Sequence, residues 1–434
     1  MGNERTRPQM RRIDVAGGFW AGIDWSEKLN DVAVVDAAGQ VVVRARIAET
    51  PDGLKELLRL LSELSRSHRH SRRQVPIAIE TGSSLLVEGL RSARQPVHVI
   101  HPAMAARYRA RLSPAKIKSD KGDAAMLANI LRIDGDSHRP LPGTSDLARS
   151  ITVLARAQVQ ARWTREYHAN RLRSLLRQIH PAALTAWADL PDGFRRTEAR
   201  AVLAAGPTPR QAARLNAIQL CRILTEAGRT RLRMDRALHL QAEFAQPVIN
   251  RPRPVEDAMG IEVLACLSML DQACATSETL TGETENAFIE HPQAAIYLSF
   301  PGCGPLLGAR LLGEIGDDPA RFATARGLRA YAGAAPLTWA SGATSSVTRR
   351  RIANTWLQAT GHVWAFTSLT RSPGCRAYYD HRRQAGDRYA PALRSLYGRL
   401  LGSLHRCLCT GQLYDEDLAF PPGRRVGRAG GSRV

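Results

Sequence analysis

Two apolar, strand-like runs in this chain each end on an acid, in Phe-Trp-Ala-Gly-Ile-Asp24 and Val-Pro-Ile-Ala-Ile-Glu80. Two further acids stand three residues apart in Lys-Ser-Asp120-Lys-Gly-Asp123. That spacing puts Asp120 and Asp123 on one face of a helix's first turn. Carboxylates at strand ends and at a helix start require a sheet whose strand ends face that helix, so the framework limits the fold more than any bulk property does. Donors that are all oxygen suit hard divalent cations. A pair of such cations clamps the attacking and leaving oxygens of a phosphodiester. The four acids therefore imply a site that cuts or joins nucleic acid. Taken singly they have plainer readings: Asp24 as a hairpin residue, Asp120 as an acid favoured by the positive end of a helix.

The surrounding pattern predicts strands over 18–24, 31–36 and 40–46, from alternation and β-branched content, with Ala38-Gly39 as the second turn. An amphipathic helix is predicted over 51–65, with Leu54, Leu57, Leu58, Leu61 and Leu64 on one face. A strand at 75–80, a helix at 84–94, a strand at 96–100 and helices at 103–109 and 119–133 follow. The order β-β-β-α-β-α-β-α matches an α/β ribonuclease H-like (RuvC-like) topology. In that topology the first strand carries an acid to the centre of the sheet and the fourth ends in another.

Beyond a Pro/Gly-rich linker at 134–144, long helical patterns cover 145–180 and 254–291. They can pair as an antiparallel coiled coil, within one chain or between subunits. Thr208 is expected to cap a helix beginning at Pro209. The last part is expected to be α-helical, with Phe-Pro-Gly302-Cys-Gly304-Pro forming a helix-hairpin-helix-like turn. There the glycines would let backbone amides approach a phosphate; a tight helix connection touching no DNA is the alternative. Ser341 is expected in a Gly-bounded loop, shortly before Arg349, Arg350 and Arg351. A hydroxyl so placed is a candidate nucleophile on phosphorus, the arginines offsetting the developing charge. The domains expected are a basic arm (1–12), an acid-bearing domain (13–140), a helical region (141–291), a C-terminal domain carrying the serine (292–420) and a basic tail (421–434).

The net charge is +21, from 61 basic and 40 acidic residues, and only five of the basic residues are lysine. That excess favours a polyanionic partner, although codon bias toward arginine contributes to it. Arg-rich stretches at 162–177, 195–200 and 349–351 are expected to follow phosphate backbones, and no aromatic interleaving of the stacking kind is visible in the sequence. Seven cysteines without a CxxC pair suit a reducing cytoplasm rather than a disulfide framework. His405-Leu-Cys407-Leu-Cys409 is read as helix packing in preference to a metal site, Gly2 as a chance match to a lipidation pattern, and no membrane span is expected.

Together, Gly-Ile-Asp24-Trp-Ser, Ile-Glu80-Thr-Gly, Lys-Ser-Asp120-Lys-Gly-Asp123-Ala, Pro-Gly-Cys-Gly-Pro and Tyr-Ala-Gly-Ala-Ala-Pro…Ser341-Gly342 resemble the DEDD transposases of the bacterial insertion-sequence family numbered one hundred and ten. The resemblance covers nearly the whole chain. It implies DNA recombination in which Asp24, Glu80, Asp120 and Asp123 bind Mg²⁺, as a two-metal site, and Ser341 becomes joined to DNA. It also implies double-stranded DNA partners (element ends and target), an element-encoded guide RNA, a homo-oligomer (dimer or tetramer) and a bacterial cytoplasmic location. The run Ser341-Gly-Ala-Thr-Ser345-Ser346-Val leaves open whether neighbouring hydroxyls share the serine's role. Two alternatives are a hydrolytic RuvC-like endonuclease of the junction-resolvase type, with no covalent intermediate, and a non-catalytic nucleic-acid binder.

Overall fold

The computed structural model describes residues 18–67, 71–112, 120–249, 251–341, 344–350 and 352–421. The basic arm and tail, Gly2, Lys116 and Lys118 lie outside these residues, as do the side chains of Asp120, Lys121, Ser341, Ser345, Ser346, Arg349 and Arg351. The chain divides after Gly143 into two compact units.

The first unit is a five-stranded mixed sheet with helices. Its elements are β1 (Trp20–Asp24), β2 (Leu29–Val35), β3 (Val41–Ala48), α1 (Pro51–Ser67), β4 (Ile77–Ile79), α2 (Leu85–Ser92), β5 (Val97–Val99), α3 (Pro102–Leu112) and α4 (Asp120–Asp134). Strand order is β3-β2-β1-β4-β5. The first three strands form an antiparallel meander, and β4 and β5 run parallel to β1. Every element expected from the periodicity is present, in the expected order. Side chains alternate across the sheet. Ile23, Val32, Ile77 and Ile79 share one core with Leu57, Leu61 and Leu64 of α1, while Ala78, Ile100 and Ala105 form another with Leu127 and Ile130 of α4.

The second unit is built on two long helices, α5 (Asp146–Ile179) and, further along the chain, a second reaching Ile289. Between them lie α6 (Ala182–Thr185), α7 (Thr197–Ala205), α8 (Pro209–Ala212), α9 (Ala217–Glu226) and α10 (Arg233–Phe244). They have their own core of Trp187, Leu220, Leu224 and Leu240. Thr208 does cap α8, its hydroxyl accepting from the Gln211 amide at 3.3 Å, but that helix lasts a single turn. The second long helix is α11 (Arg253–Ile289). Gln158 meets Thr281, Arg171 meets Glu262 and the Gln178 carbonyl meets Arg251, so α5 and α11 run antiparallel within one chain. By length and composition α11 is apolar enough to cross a membrane. Here Val263, Cys266, Leu267 and Leu270 of α11 are buried in a core with Leu172, Leu175 and Leu176 of α5, which is the packing of a core helix.

The remaining elements are α12 (Ala294–Leu298), α13 (Pro305–Ile315), α14 (Ala325–Tyr331), β6 (Pro336–Ser341), β7 (Thr344–Arg349), α15 (Thr355–Ser368), α16 (Pro373–Gln384), α17 (Tyr389–Thr410) and α18 (Glu416–Ala419). The sequence predicts an α-helical end to the chain, but a strand pair interrupts the helices. Pro336–Ser341 and Thr344–Arg349 pair as an antiparallel ribbon, so Ser341 ends a strand and does not sit in a free loop. The cause is local: hydroxyl and β-branched residues such as Thr338, Thr344, Val347 and Thr348 prefer extended backbone to helix. Ile151 of α5 lies in the same core as Phe300, Trp364 and Leu400, so the long helices and this end of the chain form one unit.

Candidate functional site

Asp24 and Glu80 reach the same edge of the sheet because of register. Ile23 pairs with Ile79 across parallel strands, so the next residue on each strand is an acid. Both are partly exposed. Among the described residues the Glu80 carboxylate has no hydrogen-bond or ion-pair partner. Asp31 sits directly across β2 from Asp24 and is a further acid at this edge, but Arg46 of β3 holds it at 2.7 and 3.1 Å. Its charge is therefore matched.

The helix acids arrive through a glycine. A Cβ on Gly22 would lie 2.0 Å from the Ala124 carbonyl oxygen and 2.5 Å from the Ala128 nitrogen. Only glycine lets the start of α4 lie on the backbone of β1, and Asp123 is the residue before Ala124. Asp120 is the first residue of α4. Asp123 is buried, 6% exposed, and accepts from Arg109 Nε of α3 at 2.8 Å. Sequence reasoning missed Arg109: a guanidinium fourteen residues upstream, on another helix, leaves no periodic signal.

No three described His, Cys, Asp or Glu residues lie close enough together to hold a metal ion, and the Asp120 side chain falls outside that set. The donor types present nevertheless fit a hard divalent cation. They are carboxylates alone, on three rigid elements; one has no partner among the described residues and one is buried against a cation that already neutralises it.

In the second unit the register sets Ser341 opposite Thr344 and Ser345 opposite Ala340. The same register pairs Ser346 with Trp339. Arg350 follows β7, its Nε buried and without a hydrogen-bond partner among the described residues.

The two glycines of the Pro-Gly-Cys-Gly-Pro turn differ. Gly302 has φ +70°, and a Cβ there would lie 2.8 Å from the Ser368 nitrogen, so its conformation serves contact with α15. Gly304 caps α13 and faces open space. Arginines of the 195–200 stretch line a cavity of about 580 Å³, yet Arg195, Arg196 and Arg200 are bound to Glu166, Glu198 and Asp271. Internal ion pairing accounts for these three. Cys409 is exposed and approaches His405 at 3.8 Å, whereas Cys407 is buried and its thiol turns to the Leu413 carbonyl.

A transposase family model matches residues 21–181, and a model described as the transposase IS116/IS110/IS902 family matches 294–380. A protein from Streptomyces coelicolor, described as the mini-circle's candidate transposase for IS117, is 48% identical over 403 residues, covering 93% of this chain and 97% of its own length. This chain belongs to the IS110/IS116 transposase family. The family is one of enzymes that cut and recombine DNA. An uncharacterized 42 kDa protein of insertion element IS900 from Mycobacterium paratuberculosis is 27% identical, covering 92% of this chain and 98% of that one. A 44.8 kDa protein of insertion element IS116 from Streptomyces clavuligerus is 25% identical, covering 91% and 96%.

Proposed function

We propose that this transposase moves its insertion sequence by divalent-cation-dependent strand cleavage and rejoining through a serine–DNA link. What supports the reading is that Asp24 and Glu80 each stand one step past the paired Ile23 and Ile79 on adjacent parallel strands, while the start of α4, which carries Asp120 and Asp123, packs on Gly22 of β1. The strand order β3-β2-β1-β4-β5 supports the ribonuclease H-like assignment of this domain, with the coiled-coil region (141–291) and the serine-bearing domain (292–420) beyond it.

Asp24, Glu80, Asp120 and Asp123 are the residues that would hold Mg²⁺, and bound cations would stabilise charge on the phosphoryl oxygens. The chain's own part is to fix these carboxylates on two strand ends and a helix, with Arg109 holding Asp123 in place. The Ser341 hydroxyl oxygen bonds to phosphorus, and the bond from phosphorus to one deoxyribose oxygen breaks. The departing oxygen takes the proton and becomes the free hydroxyl of that strand. Rejoining is the reverse exchange with another strand's hydroxyl, so the phosphodiester is conserved throughout. Gly304 and Arg349 to Arg351 contact backbone phosphate, and Gly302 shapes the turn that carries Gly304.

In this reading the partners are double-stranded DNA at the element ends and target, an element-encoded guide RNA, and further copies of the chain, in the bacterial cytoplasm. One subunit's acids act beside another's serine. Support comes from the family and from the excess of positive charge, which suits sequence-independent backbone contact.

The test measures Mn²⁺ binding by calorimetry together with cleavage of element-end DNA, for wild type, Asp24→Asn and Asp123→Asn. Loss of both binding and cleavage is expected. Intact cleavage by Asp123→Asn with Mg²⁺ present would remove the metal-site assignment.

A further inference from the structure

Sequence order hides one aromatic and cationic patch of the long-helix unit. On α5, Trp163 stacks on Trp356 of α15, ring centroids 5.4 Å apart and planes inclined by 22°. Trp163 remains 53% exposed, and Tyr167, one helical turn on, is 60% exposed. The stack is anchored from beneath. Arg156, two turns before Trp163, lies 5.8 Å from the centre of the Trp356 ring and grips the buried Glu314 of α13 at 2.7 and 2.9 Å. Asn354 bonds both Glu314 and the Tyr331 hydroxyl at 2.7 Å. The indoles are therefore held in place before any ligand arrives.

Next to Trp163 in α5 is Arg162, and a second arginine reaches α5 one turn before it. Arg310 of α13 bonds Gln158 of α5, and Arg162 of α5 stands one turn beyond Gln158. Among the described residues neither arginine has an acidic partner, and Arg310 Nε is buried without a hydrogen bond. Burial, with the Arg162 charge adding, pushes the Arg310 guanidinium down to about 10. A guanidinium nitrogen buried without an acid or a hydrogen bond, with a second cation one turn along α5, is costly unless an anion joins it. This contrasts with Arg195, Arg196 and Arg200, each of which has its own carboxylate.

We infer that Trp163, Trp356, Arg162 and Arg310 form a docking platform for an unpaired nucleotide of a nucleic-acid strand, the base stacking on Trp163 and the phosphate resting on the two arginines. Every base presents a π-face, so such a contact tolerates any sequence, and a planar guanidinium fork matches phosphate. An apolar protein partner would leave two like charges desolvated. In sequence, Trp356 lies seven residues after the end of β7, the ribbon strand that follows Ser341. The platform's role is to hold a strand whose bases have come apart. It adds to the proposed function without resting on that function's metal or serine chemistry, because binding can be read in EDTA.

The experiment uses the full chain in EDTA and fluorescence anisotropy with four probes: oligothymidylate, oligouridylate, an abasic oligomer of the same length, and a duplex. Trp163→Ala is expected to weaken binding of the base-bearing single strands by at least about fivefold and to leave the abasic and duplex probes unchanged. Trp163→Phe should restore most of the loss, whereas Trp163→Leu, with bulk but no π-face, should not. Arg310→Gln should weaken all single-stranded probes, abasic included. A preference for thymidylate or for uridylate supports the inference in either case and names the strand as DNA or RNA. Unchanged binding of base-bearing strands by Trp163→Ala, equal loss on abasic and base-bearing probes, or an altered oligomeric state in place of altered binding would overturn it. Thermal melts of each variant separate these outcomes from misfolding.

Discussion

The sheet unit and the long-helix unit assemble their chemistry in opposite ways. In the first, the candidate acids stand at element ends. Asp24 and Glu80 lie one step past a paired row, and Asp123 lies one residue before the backbone that Gly22 admits. In the second, the groups that face each other come from helix flanks far apart in the chain: Arg156 and Trp163 from α5, Arg310 and Glu314 from α13, Trp356 from α15. A site made from element ends is fixed by local pattern and register. A site made from helix flanks exists only once the helices have packed. The first kind should fail abruptly when one acid or one close contact is changed, and the second should fail in graded steps.

The sharpest way to break this contrast is Asp24→Asn. It should lower single-turnover strand cleavage by about a thousandfold or more, the scale of several kcal/mol of lost charge stabilisation, while DNA binding in EDTA is retained. A small effect on cleavage would mean that the sheet edge is not the reacting site.

Gly22→Val comes next. Its Cβ would meet the Ala124 carbonyl at 2.0 Å, so α4 must shift. A destabilisation of about 3 kcal/mol is expected, from overpacking, seen as a lower denaturant midpoint together with weaker Mn²⁺ binding.

For the long-helix unit the comparable effect depends on pH. His180, at the end of α5, is 1% exposed, neither ring nitrogen has a hydrogen-bond partner among the described residues, and burial pushes it down to about 4. The unfolded chain takes up this proton near 6.5 and the folded chain only near 4. Between those values the unfolded state binds more protons, so stability falls as pH falls. The loss should approach about 3 kcal/mol. His180→Leu should flatten that slope in urea melts recorded from pH 7 downward.

The mildest prediction is Gly282→Ala on α11. A Cβ there meets nothing within 4 Å, so replacing a helix-interior glycine should stabilise the unit by up to about 1 kcal/mol, read as a higher midpoint with cleavage unchanged.

The same contrast explains what the sequence disclosed. Strands, helices and their order in the first unit followed from periodicity, because each strand buries one face or both and each helix one stripe. The long helices followed from spacing by threes and fours, and Thr208 from capping chemistry. The ribbon at 336–349 was hidden because its short hydroxyl-rich strands carry little apolar alternation. Arg109, and the stacking of Trp163 on Trp356, were hidden because each joins residues from separate helices, and no local pattern records that approach. The paired state of Arg195, Arg196 and Arg200 was hidden for the same reason: arginine runs look alike whether their acids lie nearby in space or not.

The most direct test of the central claim is covalent trapping. Full-length protein, labelled element-end DNA, Mg²⁺ and host RNA would be mixed, and wild type, Ser341→Ala and Asp24→Asn compared on a denaturing gel. A shifted, protease-sensitive band is predicted in wild type and absent from both variants. Such a band persisting in Ser341→Ala would assign the link to another residue. Cleavage that requires Asp24 but never yields a band would contradict serine-linked rejoining and leave a hydrolytic endonuclease.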